Sequence, residues 1–323
     1  MSAPEQLATV LDAGGEGLRR SVALTEARLA ELSAGHGEVL ASFAGDTLSA
    51  GGKRLRPTLV FICAGDAVSD DLVRAGAAVE LLHMATLVHD DVLDAAALRR
   101  GRPTVFARGG AAAATATGDL LFSRAFAELA ASGNAEAVRV LSSASSALAR
   151  GELMQRDDAW RDDVTRSRYL ERCELKTARL FEAACRLGAL LGDPGPAAAD
   201  ALGTFGSRIG VAFQIFDDVL DVSGPVERTG KPRGTDLLDG TVTLPLILAR
   251  ERDPALRGLR VQDASEAERA CDRIAATGAL TDARDEALGH VAEAKQELNG
   301  LELTSRQRRT LELVADGVVE RYS

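Results

Sequence analysis

The sequence predicts an all-α protein, one domain of many helices packed around a central bundle. Three observations lead there. Aromatic residues are only 4% of the 323 residues, while Ala, Leu, Glu and Arg recur throughout, a balance that favours helix over strand. Apolar residues return every three or four positions instead of alternating. The breaks in that rhythm are short Gly- and Pro-bearing turns, none of them an interdomain linker. The expected unit is therefore a single domain over residues 1–323.

In chain order, Leu29 and Leu32, then Val39, Leu40 and Phe43, suit amphipathic helices. A break follows at Gly51-Gly52, and Pro57 suits the first turn of the next helix. The apolar run from Ala77 to Val88 is broken by Glu80 and His83 and is too short to span a bilayer. Gly101 and Pro103 mark another break. Leu175, Leu180 and Ala184 suit a further helix, which carries Lys176 and Thr177. Later breaks fall at 192–196 and from Ser223 to Gly234.

Composition bounds the function. Apolar residues are 46% and charged residues 27%, which excludes disorder as a description of the chain. The net charge of −10 argues against nucleic acid as partner. An anionic ligand would need a metal or a local cluster of Lys and Arg. The four cysteines, Cys63, Cys173, Cys185 and Cys271, lack zinc-site spacing and read as small buried hydrophobes in a reducing compartment. The first residues have neither the basic start nor the apolar stretch of a signal peptide. The expectation is a soluble, cytoplasmic protein.

One acidic pattern, Asp-Asp-x-x-Asp, occurs twice: Asp90, Asp91 and Asp94, then Asp217, Asp218 and Asp221. On a helix the outer aspartates share a face, about 5–6 Å apart between Cβ atoms. Carboxylates so placed repel unless a cation sits between them, and magnesium takes one or two carboxylates plus water and phosphate oxygens. Other aspartate pairs, Asp70-Asp71, Asp157-Asp158 and Asp162-Asp163, read as solvated surface, the last two within the Arg-bearing stretch 156–163. The two repeated clusters differ because each ends a strongly apolar, core-type helix, where carboxylates are costly unless paired or metal-bound.

Basic residues cluster nearby in sequence. Lys53 and Arg56 are three apart. Arg99 and Arg100 follow the first acid cluster, Lys176 lies mid-chain, and Lys231 centres a Gly-rich loop after the second cluster. Singly, each is ordinary surface. Together with the acids they describe a site for diphosphates bridged by magnesium.

In order, the segments GGKRLRP (51–57), HDDVLD (89–94), LRRGRPT (98–104), KT (176–177), FQIFDDVLD (213–221), GKPRGTDL (230–237) and TLP (243–245) resemble the trans-isoprenyl diphosphate synthases of the polyprenyl synthetase family. The flanks match only in helical character. The resemblance implies an isoprenoid-synthase-type helical bundle around a central cavity, with Mg2+ as cofactor. It implies that isopentenyl diphosphate and an allylic diphosphate are the substrates. Asp90, Asp94 and Asp217 would hold the magnesium cluster, supported by Asp91, Asp218 and Asp221. Arg99, Lys176 and Lys231 would grip the allylic diphosphate, with Gln214 near the reacting centre, and Thr177 would be a further substrate-binding residue. Lys53, Arg56, His83 and Arg100 would bind the isopentenyl diphosphate. By itself, His83 on an apolar face is more often a satisfied core histidine.

The same resemblance implies a homodimer without a transmembrane segment, in peripheral contact with a membrane when product leaves. It places the product-length floor at Ala85 and Thr86, with Leu82 deeper. These two residues are small where short-chain enzymes carry aromatics, which implies a medium- or long-chain product such as a quinone side-chain precursor. Two rivals remain: a geranylgeranyl-type synthase, and a non-catalytic partner subunit, against which the six intact aspartates argue. Thr241 departs from the family's usual lysine. Arg321 is either a phosphate contact or an ordinary surface arginine.

Overall fold

The computed structural model describes residues 3–34, 37–49, 54–99, 101–224 and 233–320. As expected, helices dominate. They are α1 (Ala3–Ser33), α2 (Glu38–Ser49), α3 (Leu55–Cys63), α4 (Asp70–Leu93), α5 (Val105–Ala130), α6 (Ala135–Asp158), α7 (Arg166–Cys173), α8 (Arg179–Leu191) and α9 (Gly195–Ser223). The short α10 (Thr235–Leu238) and then α11 (Leu244–Arg252), α12 (Ala264–Ala276), α13 (Ala279–Glu297) and α14 (Ser305–Glu320) follow. Among the described residues the strands are two dipeptides, β1 (Leu98–Arg99) and β2 (Arg102–Pro103), paired antiparallel with Arg99 opposite Arg102. That hairpin is how the Gly101–Pro103 break is built.

The chain forms two compact units. One comprises Met1–Ser145, Glu182–Gly203 and Gly300–Val314; the other comprises Ser146–Phe181, Thr204–Asn299 and Ala315–Ser323.

In the first unit α4 is the central element. Its start is fixed by Ser69, whose hydroxyl accepts from the Leu72 amide at 3.2 Å, an N-cap that satisfies an otherwise orphaned donor. From Ala75 to Leu82 every residue is buried, so this stretch is core on all sides. α4 packs most extensively on α5, where a Cβ at Gly118 would come within 2.2 Å of the His89 ring.

The second unit is built around the C-terminal part of α9, with Ile209, Ala212, Ile215, Phe216 and Val219 all buried. Its distinctive feature is a π-helical turn, Glu174–Ala178, between α7 and α8. The sequence pattern places Lys176 and Thr177 on an ordinary helix; they sit instead on this wider turn. Such turns insert one extra residue and occur often at functional sites. A Cβ at Gly151 of α6 would lie 2.5 Å from the Lys176 backbone nitrogen, and one at Gly210 of α9 would lie 2.5 Å from the Ala178 Cα. Two glycines on two helices thus admit the bulging backbone.

One expectation is corrected here. The 156–163 stretch is not all surface: Asp158 is fully buried, paired with Arg168 at 2.5 Å and Arg172 at 3.3 Å. Adjacent arginines in sequence suggested solvent, whereas arginines ten and fourteen positions further along supply the charge that lets the carboxylate be buried. The four cysteines are free and buried, as expected.

Candidate active site

In the first unit, Asp90 and Asp91 occupy the last turn of α4 and Asp94 caps its C-terminus. That end of a helix carries the negative pole of the macrodipole. The three carboxylates therefore oppose both the helix and one another, an arrangement that favours a bound cation. Asp91 is buried, and burial pushes its carboxyl up; Arg99 pulls it back, while the charge of Asp94 adds to the rise. The Arg99 Nε donates to Asp91 at 2.7 Å, so the hairpin delivers a guanidinium to the acid cluster. A cavity of about 300 Å³ lies beside this pair, its apolar wall formed by Met84, Leu87 and Val88 of α4, with Arg102 and Arg108 also lining it.

His83, two turns before Asp90, is half-buried, and its carbonyl accepts from the Thr86 hydroxyl at 2.7 Å. Ala85 and Leu82 are fully buried, whereas Thr86 is half-buried. Arg56 lies half-buried in the first turn of α3. Its neighbour Arg54 is a residue that sequence reasoning passed over. Arg54 has left-handed backbone, φ 45°, a conformation uncommon for a non-glycine residue. Its buried guanidinium donates to Glu80 at 2.7 Å and to the Leu48 carbonyl at 2.8 Å, and it pairs with Glu26. One side chain so ties α1, α2 and α4 to the start of α3. Of the two arginines in the motif, this one is consumed by structure.

In the second unit, Asp217, Asp218 and Asp221 occupy the last two turns of α9, again at a helix C-terminus. Asp218 is buried and accepts from the Tyr169 hydroxyl and from the Gln214 amide, each at 2.7 Å. The Gln214 carbonyl in turn accepts from the Thr177 hydroxyl at 2.7 Å. Both ends of the Gln214 amide are therefore fixed. Burial pushes the Asp218 carboxyl up to about 7, the bonds from Tyr169 and Gln214 and the charge of Arg172 pull the other way, and Asp217 adds to the rise.

Asp221 is also buried. Its Oδ2 accepts from the Asp236 amide at 3.2 Å and its backbone carbonyl accepts from the Gly234 amide at 2.9 Å. Arg233 donates to the Val222 carbonyl at 2.8 Å and to Asp272 at 3.0 Å, which seats the 233–236 turn on the end of α9. Lys176 forms an ion pair with Glu152 of α6. A space of about 20 Å³ is lined by Tyr169, Lys176, Thr177, Gln214, Asp218 and Thr241, among others, room for about one water. Lys53, Arg100, Lys231 and Arg321 lie outside the described residues.

The donor set fits the metal that the sequence implies. Every acid in both clusters offers oxygen, the ligand of hard divalent ions. Among the described residues no three or more His, Cys, Asp or Glu side chains converge to hold an ion by themselves. An ion of magnesium's kind needs only one or two, with water and phosphate supplying the rest. Asp218, a carboxyl pushed up by burial, offers oxygen of the kind such an ion takes.

The family model for polyprenyl synthetase matches residues 37–276. The chain belongs to that family. A geranylgeranyl diphosphate synthase of Methanosarcina mazei is 39% identical over 285 residues, covering 85% of this chain and 87% of that one. A crystal structure of heptaprenyl diphosphate synthase from Staphylococcus aureus matches with a TM-score of 0.89 at 29% identity, covering 95% and 99% of the two chains. A polyprenyl synthase from Caulobacter crescentus CB15, complexed with calcium and isoprenyl diphosphate, matches with a TM-score of 0.88 at 34% identity over 99% and 98%. The polyprenyl synthetase family supplies both fold and reaction class here: the chain is an all-α prenyltransferase of the prenyl diphosphate synthase type.

Within this family member, the residues missed in the sequence are Arg54, Glu152, Tyr169 and Asp236. Arg54 lies inside the GGKRLRP segment, where its neighbours Lys53 and Arg56 suit a phosphate and nothing local marks it as structural. Asp236 stood in another, GKPRGTDL, and only the fold shows it seated against Asp221. Tyr169 and Glu152 gave no local signal. Their partners are 49 and 24 positions away.

Proposed function

We propose that this protein catalyses the magnesium-dependent head-to-tail (1'-4) condensation of isopentenyl diphosphate with an allylic diphosphate, giving a trans-polyprenyl diphosphate of medium or long chain. The observation that carries this reading is the pair of acid clusters, each at the C-terminal end of an apolar helix, where the helix dipole and the neighbouring carboxylates both favour a bound cation. Bound magnesium supplies charge stabilisation to the departing diphosphate. The chain's own residues do the rest. Asp90, Asp94 and Asp217 offer the metal-binding carboxylates, with Asp91, Asp218 and Asp221 in support. Arg99, Lys176 and Lys231 take the allylic diphosphate oxygens, Thr177 binds substrate beside Lys176, and Gln214, locked at both ends, presents a fixed dipole near the reacting carbons. Lys53, Arg56, His83 and Arg100 take the second diphosphate. The apolar residues of α4 exclude water from the carbocation.

The working unit is proposed as one domain over residues 1–323, as a homodimer in the cytoplasm, with peripheral membrane contact for product release. Among the described residues no helix is long and apolar enough to cross a membrane. Small Ala85 and Thr86 support the longer product. A geranylgeranyl-length product is the second reading, favoured by the likeness to the Methanosarcina mazei synthase. The deciding experiment incubates the purified chain with magnesium, labelled isopentenyl diphosphate and a series of allylic primers, and reads product length by chromatography. Elongation to thirty carbons or so and beyond is expected. Arrest at twenty selects the second reading, and elongation only after a second protein is added points to a heteromer.

A further inference from the structure

The π turn and the α6 segment beside it form a charged latch that no motif announced. The backbone of α6 comes against the turn at Gly151, where any side chain would strike the Lys176 amide nitrogen and Cα, 2.5 and 2.8 Å from the added carbon. The next residue, Glu152, is thereby fixed beside Lys176, and its carboxylate pairs with the ammonium. Its other oxygen accepts from Arg156 at 3.0 Å, a second contact that draws the carboxylate back along α6. Both groups are mostly covered, with side-chain exposures of 14% for Glu152 and 27% for Lys176. Burial alone would raise the Glu152 carboxyl, but the charge of Lys176 and the bond from Arg156 outweigh it and hold the group below the usual range.

We propose that Glu152 is the resident counter-ion of Lys176 and a positioning residue for the diphosphate site. It holds the ammonium in place while no anion is present, and it competes with the diphosphate when one arrives. An incoming diphosphate must take Lys176 away from a carboxylate that Arg156 also engages. The strength of the Glu152–Lys176 pair is therefore subtracted from the affinity for the anion. This rests on the reading of Lys176 as a diphosphate ligand.

The test titrates inorganic diphosphate, with magnesium, into the full chain by calorimetry. Glu152→Gln is expected to tighten binding about 1.5-fold to fivefold, the range of a partly exposed ion pair removed as competitor. Glu152→Asp, which keeps the charge but shortens its reach, is expected to tighten it less. Lys176→Gln is expected to weaken binding, and in that background Glu152→Gln should change nothing, as a double-mutant cycle requires of a direct pair. A purely structural role for Glu152 would not vanish with Lys176. If neither Glu152 variant tightens binding while Lys176→Gln weakens it, the counter-ion role is overturned. If Lys176→Gln has no effect, the assignment of Lys176 to the diphosphate is what fails.

Discussion

The Tyr169 hydroxyl donates to the Asp218 carboxylate at 2.7 Å, joining α7 to the acid end of α9. The bond completes a line that runs from Thr177 through Gln214 to Asp218. Tyr169 itself is wholly buried. Tyr169→Phe keeps the ring and deletes the hydroxyl, which also engages the Cys173 thiol. Leaving a buried acceptor short of one bond costs about 1–3 kcal/mol, so the melting temperature should fall. The KM for the allylic substrate should rise more than that for isopentenyl diphosphate. Equal changes in both would show that the bond serves folding alone.

Gly151 and Gly210 press on the π turn from two helices. Gly151→Ala and Gly210→Ala should each destabilise the protein and lower kcat, because the obstructing atoms are backbone and cannot swing aside. Gly289→Ala on α13 is the control. Nothing lies within 4 Å of an added Cβ there, and alanine should stabilise that helix by about 0.5–1 kcal/mol. Thermal unfolding of the three variants checks the contrast.

Arg54→Ala strips the guanidinium from buried Glu80, whose side chain is 4% exposed. Breaking one side of a buried pair costs about 3–5 kcal/mol. Denaturant unfolding should show a loss of that order, larger than for the exposed Arg19→Ala. Substituting both Arg54 and Glu80 by apolar residues should recover part of it.

The Glu152 carboxyl is held below its usual range in the folded protein. Its folded pKa is thus lower than its unfolded one, so the pair contributes stability above the ordinary glutamate range. That contribution is lost as pH falls through the depressed folded value. Melting temperature measured down the acid limb should drop less steeply in Glu152→Gln than in the natural chain. Superimposable acid limbs would contradict the direction of the shift.

Thr86 and Ala85 differ as places to test product length. Ala85 is 0% exposed, so a phenylalanine there overpacks the core at about 1–3 kcal/mol. Thr86 is only half-buried and accepts a ring with less distortion. Thr86→Phe should shorten the product while leaving the melting temperature nearly unchanged. Product of unaltered length from a well-folded Thr86→Phe protein would remove Thr86 from the floor of the product cavity.

Local pattern determined the helical class and the ends of α4 and α9 as acid-bearing tips, because periodicity and i to i+4 spacing are properties of neighbouring residues. The resemblance then gave roles to Lys176, Thr177 and Gln214. Only the tertiary structure decided which partners those groups have. Arg54 looks in sequence like one more phosphate ligand beside Lys53, yet the fold commits it to Glu80, Glu26 and Leu48. Asp158 looks solvated beside Arg156 and Arg161, yet it is buried against Arg168 and Arg172. The π turn under Lys176 has no composition of its own; it exists because Gly151 and Gly210 leave space for it from helices distant in the chain. Burial and pairing depend on what packs across from a residue, and that is set by chain segments tens of positions away, beyond the reach of any local reading.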